Sequence, residues 1–265
     1  MELGLRARAC IVSGASRGIG RATAVALASE GASVLLVGRS AEALAEVARE
    51  CDNAGGRPRT FELDITEPDA GTRVVTECLE RFGRIDALVN NAGTSSVRTL
   101  EQLTDADWQE QWELNVMAPM RLMRAAAPAM ALSGWGRIVN VSSSSGKRPG
   151  RRNVAYSVTK AAELSLSRSF ADLYAPEGVL VNAIAPGPVG TELWLAAGGL
   201  ADQVAEARGI ARDEALAATA RGVPVGRLGT DREIAAVIVF LCSEAASYVA
   251  GAAWSVDGGL VQVII

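Results

Sequence analysis

The residues best suited to chemistry in this chain are Tyr156 and Lys160, a tyrosine and a lysine four positions apart. On a helix this spacing puts both side chains on one face, so the phenol and the ammonium group can lie side by side. A phenol ordinarily holds its proton too tightly for transfer near neutral pH. An ammonium group about 4 Å away favours the phenolate by at most about 4 kcal/mol at an effective dielectric constant of about 20. The pair is therefore suited to acid/base catalysis.

Histidine is absent from the chain, which removes the commonest general base and the commonest metal ligand. Proton transfer must then use tyrosine, lysine, serine, cysteine or a carboxylate. The four cysteines, Cys10, Cys51, Cys78 and Cys242, form no C-x-x-C pair. We therefore expect no metal site and no disulfide framework, but buried thiols in a reducing compartment.

Four consecutive serines, from Ser142 to Ser145, precede the tyrosine. Each hydroxyl is a candidate donor to a substrate oxygen on chemistry alone. The residue types and their spacing do not choose among the four.

A glycine-rich turn lies near the N-terminus, between a predicted strand and a predicted helix, and reads Ser13-Gly14-Ala15-Ser16-Arg17-Gly18-Ile19-Gly20. Glycines permit a tight turn and let a pyrophosphate approach the backbone amides at a helix N-terminus. The spacing is G-x3-G-x-G, which differs from the G-x-G-x-x-G of many dinucleotide sites. Its position after the first strand indicates a phosphate-binding turn.

The end of the second predicted strand bears on which dinucleotide is bound. NAD-selective folds place a carboxylate there for the ribose 2′-hydroxyl, whereas this chain has Arg39 after Val37-Gly38. Arg39, together with Arg17 in the glycine turn, is suited to clamp a 2′-phosphate. The sequence therefore favours NADP(H), with NAD(H) as the alternative.

Taken in order, these motifs resemble the short-chain dehydrogenase/reductase family in its compact single-domain form, and within it the 3-oxoacyl-thioester reductases. The resemblance covers nearly the whole chain and rests on the glycine turn, Asn90-Asn91-Ala92-Gly93, Asn115, Ser143, Tyr156-x3-Lys160 and Pro186-Gly187. Ser13 departs from the family, which usually has threonine there. The ordered set of motifs is far more specific than any one of them.

The resemblance implies roles for individual residues. Tyr156 would exchange a proton with the substrate oxygen, and Ser143, 13 positions earlier, would donate a hydrogen bond to that oxygen, with Ser145 as second choice. Lys160 would also hold the nicotinamide ribose, and Asn115 would anchor a water that relays protons to Lys160. The implied cofactor-binding residues are Gly14, Ser16, Arg17, Gly18, Ile19, Gly20, Arg39, Asp64, Ile65, Asn91, Ala92, Gly93, Tyr156, Lys160, Pro186, Gly187, Val189 and Thr191.

The elements that must position these residues alternate between strands and helices. Short apolar runs predict strands at 9–12, 33–37, 59–63, 87–89, 137–141, 180–184 and 253–256, and helical patterns include 21–29, 41–54 and 107–130. Continuous rather than alternating apolar runs are typical of strands covered on both faces. We predict an α/β fold, a Rossmann-like doubly wound parallel sheet of about seven strands in one domain, residues 1–265.

One segment is too long for a plain connection. Between 190 and 229 the pattern predicts short helices at 192–197, 200–207 and 213–221, interrupted by Gly198, Gly199 and Gly209. We expect a lid over the substrate at 191–221, with glycine hinges and an apolar inner face of Leu193, Trp194, Leu195 and Leu200. A structural insertion is the alternative.

Composition limits the possible partners. A net charge of −4 argues against nucleic-acid binding, and no apolar run has the length of a membrane span. The basic cluster Lys147, Arg148, Arg151 and Arg152 is expected at the mouth of the active site, where it either meets an anionic group of the substrate or is simply solvated. We expect a cytoplasmic homo-oligomer, a tetramer by resemblance, with the apolar tail 260–265 near a subunit contact.

The sequence leaves the substrate and the direction of the reaction open, since sugars, steroids, cyclic ketones and polyketide intermediates all fit a carbonyl chemistry. A non-catalytic regulator that senses NADP is the alternative from another class. Because both Tyr156 and Lys160 are retained, the enzyme is favoured.

Overall fold

Seven parallel strands form one sheet in the computed structural model, which describes residues 2–262. Their order across the sheet is β3-β2-β1-β4-β5-β6-β7. The strands are β1 (Ala9–Ser13), β2 (Ser33–Gly38), β3 (Arg57–Glu62), β4 (Ala87–Asn90), β5 (Gly136–Val141), β6 (Val179–Pro186) and β7 (Ala253–Val256). The predicted seven strands are confirmed, each within about three residues of its predicted bounds.

Burial explains why these segments form strands. Every residue of β1, β4 and β5 is buried, as expected for strands covered on both faces. The edge strand β3 is mostly exposed, and its register with β2 pairs Ser33 with Arg57. Apolar continuity is therefore clearest in the central strands and weak in the edge strand β3.

Helices cover both faces of the sheet, and their bounds are α1 (Gly18–Ser29), α2 (Ala41–Asn53), α3 (Ala70–Phe82), α4 (Asp105–Trp112), α5 (Ala118–Leu132), α6 (Ser144–Lys147), α7 (Val154–Tyr174), α8 (Glu192–Leu195), α9 (Leu200–Arg208), α10 (Arg212–Arg221) and α11 (Asp231–Leu241). On one face α1 packs against α2 and α11, and on the other α3 packs against α5. Two apolar clusters, one on each face, form the core. The predicted doubly wound Rossmann-like fold is confirmed.

The helix predicted at 107–130 is wrong as a single regular element. The chain forms α4, then a π-helical turn at Glu113–Met117, then α5. The turn contains an i→i+5 hydrogen bond from the Ala118 N–H to the Glu113 carbonyl. Such a turn adds one residue to a helix and often marks a functional position, and here it contains Asn115.

The topology directs the site to one edge of the sheet. Strand order reverses between β1, which leads outward to β2 and β3, and β4, which leads to β5, β6 and β7. Ligands of open α/β sheets bind outside the carboxyl ends of the strands at such a switch point. The glycine turn follows β1, and the Asn90-Asn91-Ala92-Gly93 motif follows β4.

All four cysteines, Cys10, Cys51, Cys78 and Cys242, are buried as free thiols. Burial raises the pKa of Cys51, Cys78 and Cys242 to about 12 and raises that of Cys10 well above its usual range. None of these thiols therefore ionises near neutral pH.

None of the helices within residues 2–262 combines the length and the apolar character that crossing a bilayer requires.

Candidate active site

A cavity of about 1120 Å³ opens at the carboxyl ends of the strands. One end is lined by the glycine turn and Arg39, and the other by Tyr156, Lys160 and Trp194. Of the residues assigned above to catalysis or to cofactor binding, all line the cavity except Gly20 and Asn115. The predicted site residues that line the cavity, drawn from seven separate segments, are thus brought to one place.

The glycine turn is so tight that its glycine positions have no room for a side chain. Gly14 and Gly18 have φ values of 64° and 51°, in the left-handed region that favours glycine. A Cβ on Gly20 would lie 2.2 Å from the Gly14 carbonyl oxygen, so Gly20 lies behind the turn and allows it to close. Gly18 begins α1, whose free N–H groups face the cavity end suited to phosphate. The turn therefore fits a dinucleotide.

Ser13 and Asn91 hold the turn against the end of β4. The Ser13 hydroxyl accepts hydrogen bonds from the N–H groups of Asn91 and Ala92 at 3.0 and 3.2 Å. The Asn91 side-chain amide donates to the carbonyls of Ser13 and Gly14, both at 3.1 Å. A serine hydroxyl makes these contacts as well as a threonine would, so the departure from the family motif leaves the turn intact.

Arg39 and Asp64 lie at the end of the cavity beside the glycine turn. The hydrogen bonds that Thr66 donates, from its backbone N–H at 3.0 Å and its hydroxyl at 2.7 Å, lower the pKa of the Asp64 carboxyl. Arg39 contributes to the same shift more weakly. Asp64 is therefore a fixed anion, while the Arg39 side chain is largely exposed.

Tyr156 and Lys160 share one face of α7, as their spacing predicts. The Lys160 Nζ lies 5.9 Å from the centre of the Tyr156 ring. The tyrosine is half-buried and lines the cavity, whereas the lysine is buried behind it. The arrangement places a phenol where a substrate reaches it and a nearly buried cation beside it.

Lys160 is fixed by two acceptors within the protein. Its Nζ donates to the Val141 carbonyl and to Glu163 Oε2, each at 2.9 Å. Sequence reasoning missed Glu163, although its place three positions after Lys160 on one helix face was a usable indication. Glu163 is almost completely buried.

Asn115 lies behind Lys160 in the π-helical turn. Its amide donates to Gln111 Oε1 at 2.9 Å and to the Thr159 hydroxyl at 3.1 Å. Among residues 2–262, no group donates to its buried Oδ1. A Cβ on Gly93 would lie 3.2 Å from that oxygen and 3.6 Å from Lys160 Nζ, so both atoms face the same backbone.

Three of the four serines are distinguished by their hydrogen bonds. Ser142 donates to the Lys160 carbonyl at 2.9 Å and so anchors α7. Ser143 caps α6, its oxygen accepting from the Ser145 N–H at 3.1 Å, which leaves its own O–H free to donate. The Ser145 oxygen accepts from the Asn153 amide at 3.1 Å.

The basic cluster is not at the mouth of the cavity, and that expectation is wrong. None of Lys147, Arg148, Arg151 and Arg152 lines the cavity. Lys147 donates to the Ala253 carbonyl and to Ser255, on β7, and Arg152 donates to the Ala207 carbonyl at 2.7 Å. A position in the chain between Ser143 and Tyr156 does not decide where a side chain points. Lys147, at the end of α6, turns toward β7, and the three arginines after it are exposed.

The segment 191–221 forms three helices, α8, α9 and α10, close to the predicted ones. Leu193, Trp194 and Leu200 line the cavity, but Leu195 is exposed and does not. The segment is tied to the loop after β4 by a 2.9 Å hydrogen bond from the Val97 N–H to Gln203 Oε1.

Further polar residues of the cavity lie outside the motifs. Sequence reasoning missed Thr94, Ser95, Gln109, Glu110, Glu113, Asn153 and Glu192. Asn153 was within reach of it, because it stands one helical turn before Tyr156. Thr94 and Ser95 directly follow the Asn90-Asn91-Ala92-Gly93 motif, and the others depend on how α4, the π-helical turn and α8 fold back over the sheet edge.

Comparison with known proteins gives one consistent result. A family profile described as Enoyl-(Acyl carrier protein) reductase matches residues 14–261. Short-chain reductase protein NovJ of Streptomyces niveus is 38% identical over 94% of this chain and 92% of its own length. The 3-oxoacyl-[acyl-carrier-protein] reductase FabG of Aquifex aeolicus is 34% identical over 98% of this chain and all of its own.

A solved structure also matches along the full length. L-sorbose reductase from Gluconobacter frateurii, complexed with NADPH and L-sorbose, superposes with a TM-score of 0.93 at 35% identity and covers 100% of both chains. The likeness thus includes the cavity as well as the sheet.

Proposed function

The chain belongs to the short-chain dehydrogenase/reductase family, and on this basis we propose that it is an NADP(H)-dependent oxidoreductase acting on a carbonyl or secondary alcohol carbon. The observation that supports the proposal best is the shared cavity. It joins a glycine turn that excludes side chains to a helix face bearing Tyr156 and Lys160. The proposed binding of a dinucleotide and the proposed proton transfer to a substrate would then occur in one continuous space.

In the proposed reaction the nicotinamide, when bound, supplies or accepts the hydride. Tyr156 gives a proton to the substrate oxygen in reduction and takes it in oxidation. Ser143 donates its free hydroxyl proton to the same oxygen and stabilises the charge that develops there. With two N–H groups of Lys160 committed to Val141 and Glu163, one remains to hold the ribose.

Asn115 completes the proposed proton path. Its buried Oδ1 is a free acceptor that faces the same glycine as Lys160. A water that donates a hydrogen bond to that oxygen would lie beside Lys160 Nζ, share its third N–H with the ribose and relay protons to Lys160. Protons would then reach Tyr156 through the protein interior.

NADP(H) is the proposed cofactor because Arg39, and not a carboxylate, follows β2 and lines the cavity. Arg17 lines the same end, and both guanidinium groups suit a phosphate. The NADPH complex of L-sorbose reductase, a relative of equal length, supports the same choice. Residues 191–221 are proposed as the lid over the substrate end.

A direct spectrophotometric assay tests the proposal. The purified protein is mixed with NADPH and a panel of ketoses, cyclic ketones and 3-oxoacyl thioesters, and NADPH absorbance is followed, with NADH in parallel. We expect NADPH-dependent reduction of at least one class, lost in Tyr156→Phe. A protein that binds neither cofactor, or one whose turnover survives the loss of the phenol, contradicts the proposal.

A further inference from the structure

Glu163 is a buried carboxyl group that belongs to none of the motifs described above. Its side chain is 2% exposed, and its Oε2 lies 2.9 Å from Lys160 Nζ, which is 3% exposed. The two residues lie three positions apart on α7, so the helix itself brings them together. Burying a carboxylate is costly unless an opposite charge and hydrogen bonds compensate, so its presence beside this lysine needs an explanation.

We propose that Glu163 is a positioning residue that fixes the Lys160 side chain and supplies the counter-charge that keeps its buried ammonium protonated. The inference rests on the proposed function for what Lys160 does in the reaction. The contact between the two residues does not depend on it.

The positioning part follows from the hydrogen bonds. An ammonium group has three N–H donors, and Lys160 directs two of them to acceptors held by the sheet and the helix, Val141 on β5 and Glu163 on α7. Both acceptors are buried and are therefore held in place by the surrounding protein. The third N–H is left for the cavity, beside Tyr156.

The charge part follows from burial. Burial disfavours the charged form of Lys160, but the charge and hydrogen bond of Glu163, with a contribution from Tyr156, outweigh it and raise the pKa of the lysine above its ordinary value. Burial also raises the pKa of the Glu163 carboxyl, against the opposing effect of Lys160. Each of the two buried charges is therefore stabilised by the other.

No other titratable group within residues 2–262 faces this pair closely enough to act on its charges besides Tyr156. The elements packed against it contribute the Val141 carbonyl, the Ser142 hydroxyl and the backbone of Gly93, none of which titrates near neutral pH. Glu163 is thus the one carboxylate within residues 2–262 that is available to Lys160.

The sequence offers an unusually direct measurement, because Lys147 and Lys160 are the only lysines in the chain. Protein labelled with ¹³C at the lysine ε-carbon gives two side-chain signals, and Lys147→Arg leaves the signal of Lys160 alone. The ε-carbon chemical shift reports whether the ammonium has lost its proton. In this background the signal is followed against pH for Glu163 and for Glu163→Gln, which keeps the shape and an acceptor but removes the charge.

We expect Lys160 to titrate above the ordinary lysine range with Glu163 present, and to lose its proton at least about two pH units lower in Glu163→Gln than in the protein that retains Glu163. Asp172→Asn is the matched control, because Asp172 is an exposed carboxylate on the same helix that pairs with Arg168. The control should leave the Lys160 titration unchanged. Equal midpoints with and without Glu163, or equal shifts in both variants, overturn the proposal.

The test gives a result even if Glu163→Gln does not fold or the protein binds no NADPH. If Glu163→Gln does not fold, as judged by thermal unfolding, the titration with Glu163 still decides, since a Lys160 that is neutral at pH 7 refutes the proposed counter-charge. The measurement uses neither cofactor nor substrate. A protein that binds no NADPH would therefore contradict the proposed function while leaving the lysine titration to be judged separately.

Discussion

The Arg39 guanidinium lies 3.8 Å from the Asp64 carboxylate, at the carboxyl ends of the adjacent strands β2 and β3. The arginine is 79% exposed in this contact. An exposed ion pair of this kind contributes at most about 1 kcal/mol, so it does not hold Arg39 firmly. The guanidinium is therefore free to turn toward a phosphate, while Asp64 remains fixed by Thr66.

Replacing Arg39 by alanine should weaken NADPH binding by about ten- to a hundredfold, because a charge-assisted contact to phosphate contributes about 1.5–3 kcal/mol. NADH, which lacks the 2′-phosphate, should lose much less. Both dissociation constants are measured by fluorescence titration. Arg49→Ala, an exposed arginine on the following helix that does not line the cavity, is the control. Equal losses for both cofactors, or a wild-type preference for NADH, would exclude this role for Arg39.

Tyr156→Phe should abolish turnover and leave NADPH affinity nearly unchanged, because the ring remains and only the exchangeable proton is removed. The measurements are kcat on the best substrate of the panel and the dissociation constant of NADPH. Tyr174→Phe, at the far end of the same helix, is the matched control and should keep full activity. A Tyr156→Phe enzyme with a tenth of the wild-type kcat would refute the assignment.

Trp194→Ala should raise KM for the substrate by roughly tenfold and leave the dissociation constant of NADPH almost unchanged. The reason is that Trp194 lines the substrate end of the cavity on the proposed lid, away from Arg39. Leu195→Ala is the control, since Leu195 is exposed and outside the cavity. Hydrogen exchange across 191–221 should slow when substrate binds. Unaltered kinetics and unaltered exchange would mean that the segment is only an insertion.

Glu233 should stabilise the fold in a pH-dependent way. Its bonds from Arg227 at 2.6 and 2.9 Å, and then from the Thr230 N–H and hydroxyl at the start of α11, lower its pKa to about 2. Because the folded-state pKa is depressed, this stabilisation is present above the unfolded pKa of about 4.3 and is lost as pH falls toward 2.

Glu233→Gln should therefore lower Tm at pH 7, and the Tm gap from wild type should narrow between about pH 5 and pH 2. Glu80→Gln, an exposed carboxylate on α3, should show no such gap. A gap for Glu233→Gln that is the same at both ends of this range would show that the stabilisation does not depend on the charge of Glu233.

Assembly is predicted to be tetrameric, and a surface other than the tail also supports the prediction. Of the tail, Val261 is buried in its own chain, and residues 263–265 lie outside the described residues. Leu132 and Leu173, at the ends of α5 and α7, are instead exposed. Light scattering at micromolar concentration should give a multiple of the chain mass, and Leu173→Glu should reduce it. A monomeric mass for the wild type would contradict the prediction.

How far sequence reasoning reached is clear from individual residues. The glycine turn and the Tyr156–Lys160 pair were found because their spacing is local, within one turn or one helix. Asn115 was named, but the π-helical turn that holds it was not, since apolar periodicity does not register one added residue.

Residues whose partners lie far along the chain were harder to predict. Lys147 contacts β7, more than a hundred positions away, so its direction could not be inferred from neighbours in sequence. Glu163 was missed for a different reason. A glutamate on a helix is normally read as solvent-facing, and only the packing of α7 against β5 and β6 reveals that this one is buried.

The four buried cysteines make this protein a convenient host for a single reporter thiol. Since their thiols are inaccessible and remain protonated at neutral pH, a cysteine introduced at Ala197, an exposed position between α8 and α9, would be the one that a maleimide dye modifies. A dye placed there would report, one molecule at a time, whether the proposed lid opens and closes, with no native residue removed beforehand.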